Sequence, residues 1–242
     1  MSTVSSYLKE YGESWGFPFT QQQLDAFDTY GEMLRDWNTR MNLTAILEPQ
    51  DMAVKHFLDS VLPLKVYDIP QNARLIDVGT GAGFPSVPMK VVRPDLQVTL
   101  LDSLNKRITF LNALCQGLEL PCEAIHARAE EAGRKPQLRE QFDVATARAV
   151  AHLRELSEYC LPFVKVGGVF LALKGGDCQQ ELQEAQEAIH LLGGQVERVE
   201  PLQLPLDNRR TVIVIRKRSQ TLSKYPRPSA KIAKFPLNGP AK

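Results

Sequence analysis

A glycine-rich turn is the segment of this sequence whose residue types and spacing point most directly to chemistry. Gly79, Gly81 and Gly83 follow the apolar run 75–78 and precede a run of helical spacing that starts at Phe84. Glycine adopts backbone torsions and permits close approaches that side chains forbid. In an open α/β sheet, such a turn at the carboxyl end of the first strand is where ligands bind. The turn therefore predicts a ligand site, with a purely structural tight turn as the alternative.

The spacing of the glycines discriminates between nucleoside cofactors. A dinucleotide fingerprint has the form G-x-G-x-x-G, but here the third position falls on Phe84 or Ser86, depending on which glycine starts the count. The observed G-x-G-x-G after Asp77 resembles the first motif of class I methyltransferases, which use S-adenosylmethionine. Asp102, at the end of the second predicted strand, can accept hydrogen bonds from both ribose hydroxyls. NAD would also require such an acid, so Asp102 predicts a nucleoside without choosing the cofactor.

Several further motifs, in order along 20–218, resemble one family: the 16S rRNA guanine-N7 methyltransferases, also called the glucose-inhibited division protein B family. The matching words are Trp37-Asn38-x-x-Met41-Asn42-Leu43-Thr44, His56-Phe57-x-Asp59-Ser60, the segment 77–85, Leu101-Asp102-Ser103-x-x-Lys106-Arg107, Ala147-Arg148-Ala149 and Leu173-Lys174-Gly175.

The resemblance implies roles for particular residues. It implies that S-adenosylmethionine is held by Asp77, Gly79, Gly81, Phe84, Asp102, Ser103, Leu104, Ala129, Glu130 and Arg148. It also implies that Lys174 and Arg210 serve the RNA side. We assign Arg148 and Lys174 as the catalytic pair, contacting phosphate or base O6. Three of these residues have a structural alternative. Phe84 could belong to the core, Arg210 could be a charge at the edge of the hairpin, and Arg148 could be a partly buried arginine with an ion-pair partner.

The chemistry of the expected acceptor agrees with the residues available. Guanine N7 carries an in-plane lone pair and no proton, so it attacks a sulfonium methyl without a general base. The protein then contributes positioning and electrostatics. Adenine-N6 enzymes usually carry Asp/Asn-Pro-Pro-Tyr after the fourth strand, where this chain has the segment 146–149. Cys122 precedes the third strand, the wrong loop for a cytosine-C5 nucleophile, so we interpret it as structural.

The elements that must position these residues alternate along the chain from Arg74 onward. Short apolar runs typical of buried strands lie at 75–78, 98–101, 123–126, 142–146 and 169–173. Helical runs lie between them, at 84–92, 104–118 and 152–161, with another at 181–192. Such alternation predicts parallel strands with helices on both faces. The last strands, 196–204 and 211–215, are too close for a parallel crossover and predict a hairpin.

The fold class is therefore α/β, a Rossmann-like class I methyltransferase whose mainly parallel sheet ends in an antiparallel hairpin strand. We expect an N-terminal helical extension (1–70), the cofactor-binding domain (71–218) and an extended, basic, proline-containing tail (219–242). In the extension, Thr20-x-x-Gln23 has the form of a capping box. The apolar residues of the following helix share one face: Leu24, Phe27, Tyr30, Leu34, Trp37 and Met41.

A second N-terminal helix is predicted to start after Pro49 and to end at Pro63. His56 and Asp59 are spaced i, i+3 on it, so they share a face. They could line an RNA entrance or serve helix packing.

Composition and charge bound the remaining possibilities. Hydrophobic residues make up 43% of the 242 residues, enough for a globular core. The net charge of +1 is uneven, because residues 201–242 hold ten Lys or Arg and one acid, which gives +9 there and −8 elsewhere. Such a basic end suggests a polyanionic partner, 16S rRNA or the small ribosomal subunit, or else a solvated tail.

Cysteine spacing and hydropathy exclude other classes. The four cysteines form no zinc or disulfide pattern, so we expect reduced thiols and no metal. No apolar stretch could act as a signal peptide or cross a bilayer, so we expect a cytoplasmic protein. We also expect it to be a monomer. Three rival functions remain: a methyltransferase of the same fold that acts on another RNA site or a small molecule, a non-catalytic ribosome-binding module, and an NAD-dependent oxidoreductase, which the glycine spacing disfavours.

Overall fold

The computed structural model describes residues 3–148 and 151–237, and in these residues seven strands form one sheet in the order β3-β2-β1-β4-β5-β7-β6. The strands are β1 Arg74–Val78, β2 Gln97–Asp102, β3 Cys122–His126, β4 Phe142–Arg148, β5 Val164–Gly175, β6 Gly194–Leu204 and β7 Asn208–Lys217. Strands β1 to β5 pair in parallel, whereas β7 is antiparallel to both β5 and β6. The predicted strand alternation and terminal hairpin are confirmed.

Helices connect the strands and precede them. They are α1 Val4–Ser14, α2 Gln21–Asn38, α3 Pro49–Asp51, α4 Asp59–Val66, α5 Ser86–Val92, α6 Asn105–Gly117, α7 Ala129–Ala132, α8 Leu153–Cys160, α9 Gln179–Leu191 and α10 Ser229–Lys234. A π-helical segment, Met52–Leu58, joins α3 to α4, so Pro49 begins a nearly continuous helix. A π-helical turn widens the backbone ladder and often marks a functional site.

The two sheet faces carry separate apolar clusters because neighbouring residues of a strand point to opposite sides. Leu75 of β1 belongs to the cluster that includes Leu8, Phe27 and Phe57 of the N-terminal helices. Ile76 belongs to the opposite cluster, which includes α8 and α9. The N-terminal helices therefore share a core with the sheet and cover one of its faces.

Two details of the N-terminal prediction are wrong. The capping box at Thr20 and Gln23 is present, but α2 ends at Asn38, so Met41 lies beyond the helix rather than on its face. Pro63 does not end the second helix, which continues to Val66. An internal proline costs about 3 kcal/mol. Burial of the flanking apolar side chains against the sheet offsets that cost, a tertiary effect that local sequence does not reveal.

The expectation of an extended tail is also wrong. Thr221 and Tyr225 are buried, and α10 follows them with Ile232 in the interior. Lys217 is buried as well, where its ammonium group donates to the Leu161 carbonyl at 2.7 Å and pairs with Glu140 at 3.3 Å. Residues 238–242 of the predicted tail lie outside the described part of the chain.

Candidate cofactor and substrate site

Asp77, the third residue after the start of β1, is hydrogen-bonded to residues of the glycine turn and of the helix that follows it. Its Oδ2 accepts hydrogen bonds from the Thr80 hydroxyl (2.8 Å), the Ser86 hydroxyl (2.6 Å) and the Ser86 amide (3.1 Å). Burial raises the pKa of Asp77 to about 7, although these donors oppose the shift. Asp77 was expected among the cofactor contacts. The structure puts it beneath the turn, away from the cavities described below.

The three glycines of the turn all have positive φ and differ in what surrounds them. Gly79, Gly81 and Gly83 have φ values of 71°, 62° and 96°. A Cβ at Gly81 would enter open space, whereas one at Gly83 would lie 2.6 Å from the Tyr30 hydroxyl oxygen. That hydroxyl donates to the Ala82 carbonyl at 2.5 Å. Gly83 therefore permits close packing, and Gly81 keeps room free above the turn.

A cavity of about 270 Å³, the helix cavity, opens at the carboxyl ends of β1 and β2 beside α7 and α8. Its walls bring together Gly79, Asp102, Ser103, Ala129 and Glu130, all predicted cofactor contacts. Its remaining walls are Val78, Leu101, Ala127, Arg128, Ala151, Glu155, Tyr159 and Ser229.

A second cavity of about 450 Å³, the loop cavity, lies over the glycine turn. It shares Gly79, Asp102 and Ser103 with the helix cavity, so the two are adjacent. Gly81, Phe84 and Arg148 also line it, together with Leu43, Thr44, His56, Thr80, Ala82 and Arg107.

Asp102 lies between the two cavities with its hydrogen-bonding capacity partly used. Its Oδ2 accepts from the Gly81 amide at 2.9 Å and from Arg107 at 3.2 Å, while Oδ1 accepts from the Leu104 amide at 2.9 Å. A carboxylate offers about four acceptor positions, so one remains for a ribose hydroxyl and a second requires Arg107 to move. Leu104 lines neither cavity, and its side chain is exposed.

Phe84 is the centre of an aromatic stack at the edge of the loop cavity. Its ring centroid lies 5.2 Å from that of Tyr30 and 4.5 Å from that of His56, and the Arg148 guanidinium carbon lies 4.8 Å from it. Burial and then the Arg148 charge lower the pKa of His56 to about 3, so its imidazole is neutral. Phe84 is thus both a core residue and a cavity wall.

Arg148 and Arg210 share one buried carboxylate. Arg148 Nη1 donates to Asp59 Oδ2 and Arg210 Nε donates to Asp59 Oδ1, both at 2.8 Å. Arg148 Nη1 also lies within hydrogen-bond distance of the carbonyls of Lys55 and His56. The partner predicted for a partly buried arginine is therefore Asp59, which begins α4 and pairs with Arg148 of β4 and Arg210 of β7.

These cations line a third cavity of about 420 Å³, the arginine cavity, which shares His56 and Arg148 with the loop cavity. Lys174 also lines it, but its ammonium group donates to the Ala151 carbonyl at 3.0 Å and pairs with Glu181 at 2.5 Å. The structure therefore brings Arg148, Lys174 and Arg210 together. Ala149 of the predicted motif lies outside the described residues.

Sequence reasoning missed several residues of the site. The i, i+3 spacing of His56 and Asp59 was the signal for the carboxylate, although it gave no hint of two arginine partners. Tyr30 was recognised only as an apolar helix residue. Tyr159 and Ser229 carry no motif, and only the folded chain brings them to the helix cavity.

In residues 3–148 and 151–237, no group of three or more His, Cys, Asp or Glu side chains is arranged to hold a metal ion. Within the same described ranges, no helix has the length and apolarity needed to span a membrane. The four cysteines are free thiols, and three of them are buried.

Solved structures share this fold at low sequence identity. TrmN from Thermus thermophilus matches 68% of this chain and 53% of its own at 18% identity, with a TM-score of 0.52. A variant of the 16S rRNA (adenine(1408)-N(1))-methyltransferase from Catenulisporales acidiphilia matches 64% of this chain and 87% of its own at 15% identity, with a TM-score of 0.51. The chain shares the fold of these Rossmann-like methyltransferases, with its glycine turn after β1 and an acid that ends β2.

Sequence comparison gives the family. The model of the GidB family, rRNA small subunit methyltransferase G, matches residues 23–212. A ribosomal RNA small subunit methyltransferase G from Desulforamulus reducens is 47% identical over 98% of this chain and 100% of its own. The corresponding protein of Acetivibrio thermocellus is 47% identical over 95% of both chains. The chain belongs to the rRNA small subunit methyltransferase G family, which confirms the resemblance.

Proposed function

We propose that this chain transfers the methyl group of S-adenosylmethionine to N7 of a guanine in 16S ribosomal RNA. The observation that carries the proposal is the contact between two cavities. The loop cavity above the glycine turn shares His56 and Arg148 with a cavity lined by Arg148, Lys174 and Arg210. A cofactor site thus adjoins a space suited to an anionic, hydrogen-bonding substrate.

The residues present suit S-adenosylmethionine, which supplies an electrophilic methyl group when bound. Open space at the Cβ position of Gly81 leaves room for a ligand over the turn. In the proposal, Asp102 accepts a hydrogen bond from a ribose hydroxyl, and Ala129 and Glu130 border the adenine. Gly79 has no side chain, so its backbone is accessible to the cofactor. Asp77 acts indirectly, because its bonds to Thr80 and Ser86 fix the turn.

The substrate side requires orientation rather than proton transfer. N7 of guanine has no proton to lose, and His56, with its pKa lowered to about 3, remains neutral in the site at neutral pH. Arg148 and Lys174 contact base O6 or phosphate, and Arg210 contacts phosphate. The methylated ring becomes cationic, which the arginines would oppose. Asp59 offsets their charge from 2.8 Å, and so reduces that repulsion.

The partner is 16S rRNA, free or in the small ribosomal subunit. The names of the relatives and the basic end of this chain support that choice. We further propose that the chain acts as a monomer in the cytoplasm, the compartment of the ribosomal RNA that the relatives' names give as substrate.

The test offers S-adenosylmethionine with a tritiated methyl group to unmodified 16S rRNA, both naked and assembled into small subunits. We expect label on RNA with the parent chain and none with Gly81→Asp, whose carboxylate would occupy the space over the turn. Arg210→Met should retain cofactor binding and lose RNA affinity. Lys165→Met is the matched control, because Lys165 lies at the opposite end of the sheet, near the start of β5. Label on a small molecule only, or cofactor binding without transfer, would overturn the proposal.

A further inference from the structure

Residues 221–237, the C-terminal strap, are bound to the body of the protein over most of their length. Tyr225, Ile232 and Leu237 are buried, and Tyr225 and Leu237 belong to the apolar cluster that includes residues of α8 and α9. The Thr221 amide donates to Glu140 at 2.7 Å, and its hydroxyl donates to the Leu192 carbonyl at 2.7 Å. The strap is thus part of the folded domain.

Two arginines of the segment between α7 and β4 fix the path of the strap backbone. Arg139 donates to the carbonyls of Thr221 (2.6 Å) and Tyr225 (2.8 Å). Arg134 donates to the carbonyls of Lys224 (3.0 Å) and Pro226 (2.8 Å). Because the acceptors are backbone carbonyls, these hydrogen bonds fix the position of the strap backbone whatever side chains the strap carries.

An ion pair then joins the strap to α8. Arg227 Nη2 lies 2.7 Å from Glu158 Oε2, and Nε lies 2.9 Å from Oε1, while the Arg227 amide also donates to Oε1 at 2.8 Å. The Glu158 side chain is 1% exposed and that of Arg227 14%. A bidentate ion pair at this degree of burial fixes the orientation of the strap against α8 as well as the distance between them. Glu158 also adjoins Tyr159, which lines the helix cavity.

The strap reaches the helix cavity two residues beyond the ion pair. Ser229, the first residue of α10, lines that cavity with Ala129, Glu130 and Tyr159. Gly79 of the glycine turn and Asp102 line the same cavity, so Ser229 belongs to the walls of the space that these two residues border. The outer wall of the helix cavity is therefore built partly from the strap.

We infer that the C-terminal strap is a binding element of the cofactor site, in which Ser229 closes the adenine end of the cleft. The inference rests on the proposed function, which puts the adenosine of S-adenosylmethionine in the helix cavity. A ligand that binds only when its wall is in place stabilises that wall by mass action. Cofactor binding and attachment of the strap are thus coupled.

The test measures S-adenosylhomocysteine binding by calorimetry with the full chain. Ser229→Trp puts an indole into the cavity wall, and we expect the Kd to rise at least tenfold. Ser223→Trp is the matched control: Ser223 is exposed on the strap and does not line the helix cavity, so its Kd should stay within about twofold of the parent value. Thermal melting of both variants checks that each is folded.

A second measurement does not depend on substitution. Amide hydrogen exchange of the strap, followed by mass spectrometry, should slow at saturating S-adenosylhomocysteine. Exchange in β6, which lines none of the cavities that adjoin the glycine turn, should not change. An unchanged Kd for folded Ser229→Trp, or strap exchange indifferent to ligand, would overturn the inference alone. No binding by the parent chain would overturn the proposed function and the inference with it.

Discussion

Replacement of Asp59 by Asn tests whether one carboxylate organises the substrate side. Asp59 is 3% exposed and accepts from Arg148 and Arg210 at 2.8 Å each. Asn keeps the shape of the side chain and removes its charge. Two arginines then lose their shared counterion, and Arg148, whose side chain is only 15% exposed, retains two carbonyl acceptors in its place.

The expected cost follows from burial. Removal of one partner from a buried ion pair costs about 3–5 kcal/mol. The two arginine side chains keep 15% and 24% exposure, so water recovers part of this loss. We therefore expect the free energy of unfolding to fall by about 2–4 kcal/mol for Asp59→Asn.

Asp36→Asn is the control, because it removes one carboxylate from an exposed i, i+4 pair with Arg40. Those side chains are 64% and 62% exposed, so the loss should be at most about 0.5 kcal/mol. Both variants are measured by urea unfolding, with methyl transfer as a second readout. We expect Asp59→Asn to lower kcat while the Kd for S-adenosylhomocysteine changes little. A loss for Asp59→Asn no larger than that for Asp36→Asn would refute the reasoning.

Three further predictions concern pH, packing and salt. The pKa of His56 falls from 6.5 to about 3 on folding. Its contribution to the free energy of unfolding is therefore complete above pH 6.5 and is lost at about 1.4 kcal/mol per pH unit as the pH falls toward 3. The raised pKa of Asp77 has the opposite effect, because its contribution to stability is lost as pH rises from 4 to 7. Urea unfolding of the parent chain and of His56→Gln is therefore compared at each pH. A difference in the free energy of unfolding between the two that does not change with pH would contradict the prediction. Gly83→Ala should lower the melting temperature and weaken cofactor binding, because its Cβ would lie 2.6 Å from the Tyr30 oxygen, and an unchanged melting curve would exclude that clash. If four cations of the basic end 201–242 bind phosphates, RNA affinity should fall about a hundredfold or less over a fivefold rise in salt, and a salt-insensitive Kd would exclude the role.

Much of the fold could be predicted because its signals are local. Short apolar runs identify buried strands, and the close spacing of the last two requires a hairpin. The errors at Met41 and Pro63 concern where a helix ends, which tertiary packing decides. The strap was missed because proline and lysine in 219–242 suggest an extended tail, whereas Arg134 and Arg139, distant in sequence, bind its backbone.

The site divides in the same way. The glycine turn and Asp102 could be found because spacing and strand position report their chemistry. The shared carboxylate at Asp59 could not, since its partners lie 89 and 151 residues away in sequence. Ser229 likewise has no local pattern that distinguishes it from any other serine in a polar segment.

The chemical identity of the methylated nucleoside tests the central claim most directly. Unmodified small subunits are incubated with the chain and labelled S-adenosylmethionine, and the 16S rRNA is digested to nucleosides and resolved by mass spectrometry. We expect 7-methylguanosine to be the only labelled nucleoside, and we expect Gly81→Asp to abolish the label. Label on an exocyclic amine, on cytosine C5 or on ribose would contradict it, because those acceptors must lose a proton and this site was assigned no base to take one.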